Sequence, residues 1–282
     1  MRCAWQAFLN LVPIWMRGIV DKQGKDSLLE LRLRLNAPPL LVTRTNQIWL
    51  DRLTSSEDLR FSINIASKYS PWAATTTAKG YITSPGGHRV GICGEAVVID
   101  GRMVGIKNVS SLCIRIARDF PGIARDSLKY DGSVLVIGKP GSGKTTLLRD
   151  MIRQRSDKGR GVIAVVDERE EIFPRWNNEI CFQTGRHTDV LSGCSKGQGI
   201  DAVLRNMSPD TIAVDEITAR EDCNALIHAG WCGVRLLATA HAGCRQDLMS
   251  RPIYQPIVES GIFDTLIIMN DDKSWHSERM KI

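Results

Sequence analysis

A chain of 282 residues with 43% hydrophobic and 24% charged residues carries enough apolar material for one large or two medium domains, and no low-complexity tract or internal repeat argues against a globular fold. Its net charge of +6 is too mild to name an anionic partner, so a solvated surface accounts for it. Eight cysteines without a C-x-x-C pair read as reduced thiols rather than a disulfide framework, and Cys223, Cys232, His241 and Cys244 lack the paired spacing of a zinc site.

The first twenty residues are apolar, but Gln6, Asn10, Pro13 and Arg17 interrupt them and no small-residue cleavage site follows. Trp5, Phe8, Leu9, Val12 and Trp15 fall near helical spacing, which favours a packed helix over a surface anchor. Residues 29–35 alternate Leu with charge and predict a strand with Arg32 and Arg34 on its polar face. Two more strands follow at 40–43 and 47–50. Thr54-Ser55-Ser56-Glu57 reads as a capping box opening a helix over 55–68, with Phe61, Ile65 and Tyr69 inward. One hairpin is expected around Pro85-Gly86-Gly87 and a second around Asp100-Gly101, where Asp-Gly supplies positive φ. A strand over 111–118 closes an α+β domain, and Phe120-Pro121-Gly122 marks its boundary: residues 1–122 precede a second domain at 123–282.

In that second part, Val134–Ile137 runs into Gly138-Lys139-Pro140-Gly141-Ser142-Gly143-Lys144-Thr145-Thr146, and Leu147, Leu148, Met151 and Ile152 continue at helical spacing. Strand, glycine loop and helix together form the phosphate-binding loop G-x-x-x-x-G-K-[ST]. Its glycines let backbone N–H groups curl around phosphate oxygens, and the helix N-terminus adds partial positive charge. Lys144 is expected at the β- and γ-phosphates of ATP and the Thr145 hydroxyl on Mg²⁺. Two later apolar runs each end in acids: 162–166 before Asp167 and Glu168, and 211–214 before Asp215 and Glu216. The second has the Walker B pattern, with Asp215 expected to hold Mg²⁺ and Glu216 to polarise the attacking water; Glu168 competes for that basic role. Thr218-Ala219-Arg220-Glu221 reads as a second capping box, with Cys223, Leu226, Ile227 and Gly230 on the inner helix face. The strand over 234–241 ends in Thr239 and His241, where His241 could sense the γ-phosphate or merely cap the strand. A helix near Ile257, a strand over 265–269 and a polar tail complete the chain.

The chain resembles the stage III sporulation protein AA family, which is related to type II and type IV secretion ATPases. The resemblance rests on Leu31-Arg32-Leu33-Arg34, on residues 86–91 and 108–118, and on the phosphate loop; it continues through Val166-Asp167-Glu168-Arg169, residues 186–191, and Met207-Ser208-Pro209-Asp210 leading into Asp215-Glu216-Ile217. It implies an α/β fold, namely a RecA-like P-loop NTPase domain preceded by a smaller α+β domain, assembled as a hexameric ring. It further implies a Mg²⁺-dependent ATPase in the mother-cell cytoplasm, working at the membrane with channel proteins of the sporulation complex. An arginine from a neighbouring domain completes the site in such rings, and Arg89, Arg115 and Arg118 are the positions considered; regular strand alternation would point Arg115 and Arg118 to opposite faces. The chain departs from the family at Ile217-Thr218-Ala219-Arg220, where Ile-Gly-Arg is usual, and at residues 174–178. Two rival expectations are a single-strand-binding ATPase, which lacks support in any basic tract interleaved with aromatics, and an ATP-dependent assembly switch with little turnover.

Overall fold

In the computed structural model, which describes residues 1–67 and 80–280, the chain divides into two units: Met1–Asp119 with Pro174–Cys181, and Phe120–Phe173 with Phe182–Ile282. Pro13 cannot continue a helix, so the apolar N-terminus splits into α1 (Trp5–Leu11) and α2 (Ile14–Ser27). Phe8, Leu9, Leu11, Val12, Met16 and Val20 are buried, so this stretch is core, although Ile14 remains 73% exposed. They pack on a six-stranded antiparallel sheet of order β3-β2-β1-β6-β5-β4, built from β1 (Leu28–Arg34), β2 (Leu40–Thr43), β3 (Gln47–Trp49), β4 (Tyr81–Thr83), β5 (Arg89–Ile99) and β6 (Arg102–Arg115). Strict alternation in β1 fails at one point. The register shifts between Leu28 and Glu30, which buries Leu28, Leu31 and Leu33 and leaves Leu29 outside.

α3 (Ser56–Ser67) is capped one residue later than expected, by Ser55 and Asp58: the Ser55 hydroxyl accepts Asp58 N–H (3.2 Å) and the Asp58 carboxylate accepts Ser55 N–H (2.9 Å). Its buried positions are accordingly Leu59, Ser62 and Ala66, with Phe61 and Ile65 half-buried; Tyr69 lies outside the described residues. The two expected hairpins share their strands. β5 and β6 form one long ribbon whose turn is Asp100 (φ 50°) and Gly101 (φ 74°). β6 stops at Arg115, three residues before the expected end, so strand alternation does not govern Arg118. Buried His88 ties the ends of this unit together: its Nδ1 accepts Ala117 N–H (3.0 Å), which leaves Nε2–H to donate to Ala4 O (3.0 Å). Burial holds its pKa down at about 4.

The second unit opens with β7 (Val134–Ile137), α4 (Lys144–Asp157) and β8 (Ile163–Asp167). The chain then returns to the first unit as the hairpin β9 (Arg175–Trp176) and β10 (Glu179–Ile180), turned by Asn177 (φ 50°) and Asn178 (φ 65°). Gly87 (φ 80°) packs against it in a backbone conformation that strains any side chain, and an added Cβ would come within 3.1 Å of Cys181 Cβ. There follow β11 (Thr188–Ser192), α5 (Lys196–Asn206), β12 (Thr211–Val214), α6 (Arg220–Trp231), β13 (Arg235–Ala240), α7 (Arg245–Ser250), α8 (Gln255–Ser260), β14 (Thr265–Met269) and β15 (Trp275–Arg279). The sheet runs β11-β8-β12-β13-β7-β14-β15, parallel except for β15. β7, β8, β12 and β14 are buried throughout, which is why they read as continuous apolar runs and not as alternation. The polar tail is thus partly an edge strand. In α6 the capping acid is Asp222 and not Glu221: its Oδ2 accepts the N–H groups of Thr218 (3.0 Å) and Ala219 (3.1 Å). The order matters for function, since β13 lies between β7 and β12 and brings its C-terminal end between the glycine loop and the second pair of acids.

Candidate active site

The loop between β7 and α4 takes its shape from Gly141 (φ 77°) and Gly143 (φ 102°), conformations costly for any side chain with a Cβ. Gly138 is needed for space: a Cβ there would meet Ser142 Oγ at 2.6 Å and Met269 Cβ at 2.8 Å. The buried Lys144 ammonium donates to Gly138 O (2.8 Å) and Lys139 O (2.9 Å), and lies 3.1 Å from His241 Nδ1. Burial lowers its pKa, with Asp215 and Glu216 pulling the other way. Ser142 Oγ is buried with no hydrogen-bond partner, an unmet polar atom inside a ring of glycines. Lys139 and Pro140 face solvent, Lys139 pairing with Asp271 (2.8 Å), while Thr146 is half-buried at the start of α4.

At the end of β12 the Asp215 carboxylate accepts two hydroxyls, Thr145 Oγ1 at 2.6 Å and Thr239 Oγ1 at 2.5 Å. Burial raises its pKa and these two bonds oppose the rise. Glu216 adopts φ 52°, held there as its N–H donates to Thr239 Oγ1 (2.7 Å). This strained turn aims the Glu216 side chain at His241, whose Nε2 lies 2.9 Å from Oε1. Lysine offers only donors, so Nδ1 of His241 accepts from Lys144 and Nε2–H donates to Glu216. Lys144, His241 and Glu216 therefore form one continuous chain. Tyr254 braces it, its hydroxyl accepting His241 N–H (3.2 Å) and donating to Ile217 O (3.3 Å).

The acids after β8 are differently engaged. Asp167 is buried and accepts the N–H groups of Glu171 (2.9 Å) and Phe173 (2.7 Å); burial still lifts its pKa to about 6. Glu168 pairs with Lys196 (2.7 Å), a buried lysine that also lies 3.8 Å from Asp222. Arg149 on α4 donates to Glu171 O (2.8 Å) and Ile172 O, and its guanidinium stacks 4.5 Å from the Phe182 ring. Asp167, Glu168, Glu171, Lys196, Asp215 and Glu216 line one cleft. Lys196 and Glu171 escape sequence reasoning because no motif marks them. Glu171 had a faint signal as the last acid of the 167–171 run.

The arginines belong to the first unit. Arg118 donates to Lys25 O (2.8 Å) and Leu28 O, closing the end of α2, while Arg115 is 3.6 Å from Glu30 with a 65% exposed side chain. Arg89 lies 3.9 Å over the Tyr81 ring.

Among the described residues no group of three or more His, Cys, Asp and Glu is placed to hold a metal, and no helix is long and apolar enough to cross a membrane. The family model described as sporulation stage III, protein AA, matches residues 5–278. Stage III sporulation protein AA of Bacillus subtilis (strain 168) is 36% identical over 94% of this chain and 90% of its own length. Type II secretion system protein E of Pseudomonas aeruginosa is 31% identical over 48% of this chain and 24% of its own. Among solved structures, the pilus retraction motor PilT with bound ADP superposes with TM-score 0.63 at 17% identity, covering 91% of this chain and 78% of that one. The Legionella pneumophila ATPase DotB gives 0.59 at 16% identity over 95% and 80%. The mixed α/β fold is therefore that of secretion and pilus ATPases, and the chain belongs to the sporulation stage III protein AA family.

Proposed function

We propose that this protein is a Mg²⁺-dependent ATPase that drives a membrane-associated, secretion-like complex during endospore formation, with a RecA-like catalytic core in a hexameric ring. The observation that carries it is the convergence of the glycine loop, the Thr145–Asp215 pair and the Lys144–His241–Glu216 chain at one end of one sheet. The residues fit the ligands. Residues 138–146 offer backbone N–H groups and the unpartnered Ser142 hydroxyl to phosphate oxygens, and Thr145 with Asp215 supplies the hydroxyl and carboxylate that would hold Mg²⁺. When bound, the cation neutralises charge on the phosphate oxygens.

Lys144 gives up its loop carbonyls for phosphate oxygens and stabilises the charge that develops on them. Glu216 takes a proton from, or orients, the attacking water, standing next to Asp215 with His241 on one oxygen and Arg169 3.4 Å from the other, while Glu168 is paired with Lys196. His241 touches both Lys144 and Glu216, so it reports the arrival of a terminal phosphate at one to the other. Arg115, exposed where Arg118 is engaged, is the better arginine to complete a neighbouring subunit's site. The protein acts in the mother-cell cytoplasm and reaches the membrane through channel partners.

Purified protein is expected to hydrolyse ATP only with Mg²⁺, alone or with its membrane partner. Lys144→Ala is expected to abolish turnover at unchanged melting temperature. Turnover that survives this change refutes the site; its absence from the wild type in both settings refutes the motor and leaves an assembly switch.

A further inference from the structure

The second unit carries a surface that nucleotide chemistry does not use. β15 is an edge strand, paired with β14 alone. Two bonds fix the phase of its ladder: Met280 N–H donates to Asp264 O (2.9 Å) and Asn270 N–H to Ser274 O (2.9 Å). In an antiparallel pair, residues 274, 276, 278 and 280 then face β14, and Trp275, Ser277 and Arg279 turn their backbone groups outward. Arg279 O is taken by Arg245 (2.7 Å). No strand among the described residues pairs with the outward groups of Trp275 and Ser277. Sheet edges accept an added strand where charge, proline or a covering element does not block them; Glu278 and Arg279 guard the C-terminal end of β15, which leaves Trp275 and Ser277 as its open stretch.

Beside this edge runs an open groove of about 860 Å³, lined by Arg125, Asp126, Lys129, Lys273, Trp275 and His276 among others. Three cations face one carboxylate there. Arg125, Lys129 and Lys273 are exposed and form no ion pair among the described residues, and Lys129 lies 5.1 Å from the Tyr130 ring. In the neighbouring turn Asp271 is paired with Lys139 (2.8 Å), whereas Asp272, bonded to Ser274 N–H (2.9 Å), keeps its charge, so Arg125, Lys129 and Lys273 exceed Asp126 and Asp272 by one. The groove is therefore a local positive field alongside outward backbone donors and acceptors.

We propose that the free edge of β15 and this groove dock an extended acidic polypeptide segment of a partner protein, which adds to the sheet as a further strand. Main-chain bonds to Trp275 and Ser277 would give affinity, and Arg125, Lys129 and Lys273 would select carboxylate side chains. A lipid headgroup or nucleic acid could use the charge but not the backbone ladder.

The test uses the 282-residue chain and a fluorescent octapeptide that alternates Glu and Val. Saturable binding is expected, weakened at least about tenfold by Arg125→Glu with Lys273→Glu. It is also expected to vanish when alternate residues of the peptide are N-methylated, which removes ladder donors at unchanged charge. Both substituted positions are exposed, so melting temperature should hold; should the double variant unfold, the methylated peptide on wild-type protein still decides. Binding indifferent to methylation, binding indifferent to the charge reversals, or no binding overturns the proposal. So does a result in which phosphatidylglycerol vesicles or single-stranded DNA bind through the same two residues and the peptide does not.

Discussion

β8 and β12 end alike in sequence, each a buried apolar run followed by Asp-Glu, and their acids lead different lives. Asp167, the last residue of β8, accepts two backbone N–H groups and shapes the loop to Phe173, while Glu168 is held by Lys196. Asp215 after β12 meets two hydroxyls, one of them from the phosphate loop, and Glu216 is turned by a left-handed backbone toward His241. A carboxylate with satisfied backbone partners builds structure, whereas Asp215 faces two hydroxyls and Glu216 is shared between His241 and, at 3.4 Å, Arg169.

The largest expected effect tests that contrast directly. Glu216→Gln should lower ATP turnover by about 10²–10⁴-fold with nucleotide affinity retained, and Glu168→Gln by less than about tenfold, measured as kcat and Kd on the same preparations. Equal losses would erase the distinction.

Stability should separate the two aspartates in the opposite sense. Asp167→Ala strands the Glu171 and Phe173 N–H groups, the latter buried, and is expected to cost about 2–4 kcal/mol in denaturant unfolding. Asp215→Ala leaves two rotatable hydroxyls, and no backbone N–H, without their acceptor, so it should cost less than Asp167→Ala while abolishing turnover.

The smallest effect is in the pH dependence. Asp167 has a folded pKa raised from 3.8 to about 6, so the folded state binds the extra proton, and this contribution to stability is lost as pH rises through that window. His88 has a folded pKa lowered from 6.5 to about 4, so its contribution is present above 6.5 and lost as pH falls. The two slopes oppose one another between pH 4 and 6. Asp167→Asn should make unfolding free energy climb more steeply with pH than in the wild type over that range, by up to about 1.4 kcal/mol per pH unit.

Several elements escaped sequence reasoning for physical reasons. The cap of α3 sits one residue later than the motif suggests because Thr54, Ser55 and Ser56 can all cap a helix, and only packing chose Ser55 with Asp58. The alternation of β1 hid a bulge, since a register shift leaves no mark in composition. β11 and β15 are half polar edge strands, which lack the apolar runs of the sheet centre.

The phosphate loop, its helix and the acid-ended strands were all legible in the residues alone, because glycine conformation, helix start and continuous burial are local demands written within a dozen positions. Which acid pair stands beside the phosphate loop was decided by the three-dimensional arrangement. That choice follows from β13 entering between β7 and β12, which brings Thr239 and His241 to Asp215, Glu216 and Lys144 from far along the chain. Partners across such separations are set by sheet order and packing, and no local pattern encodes them.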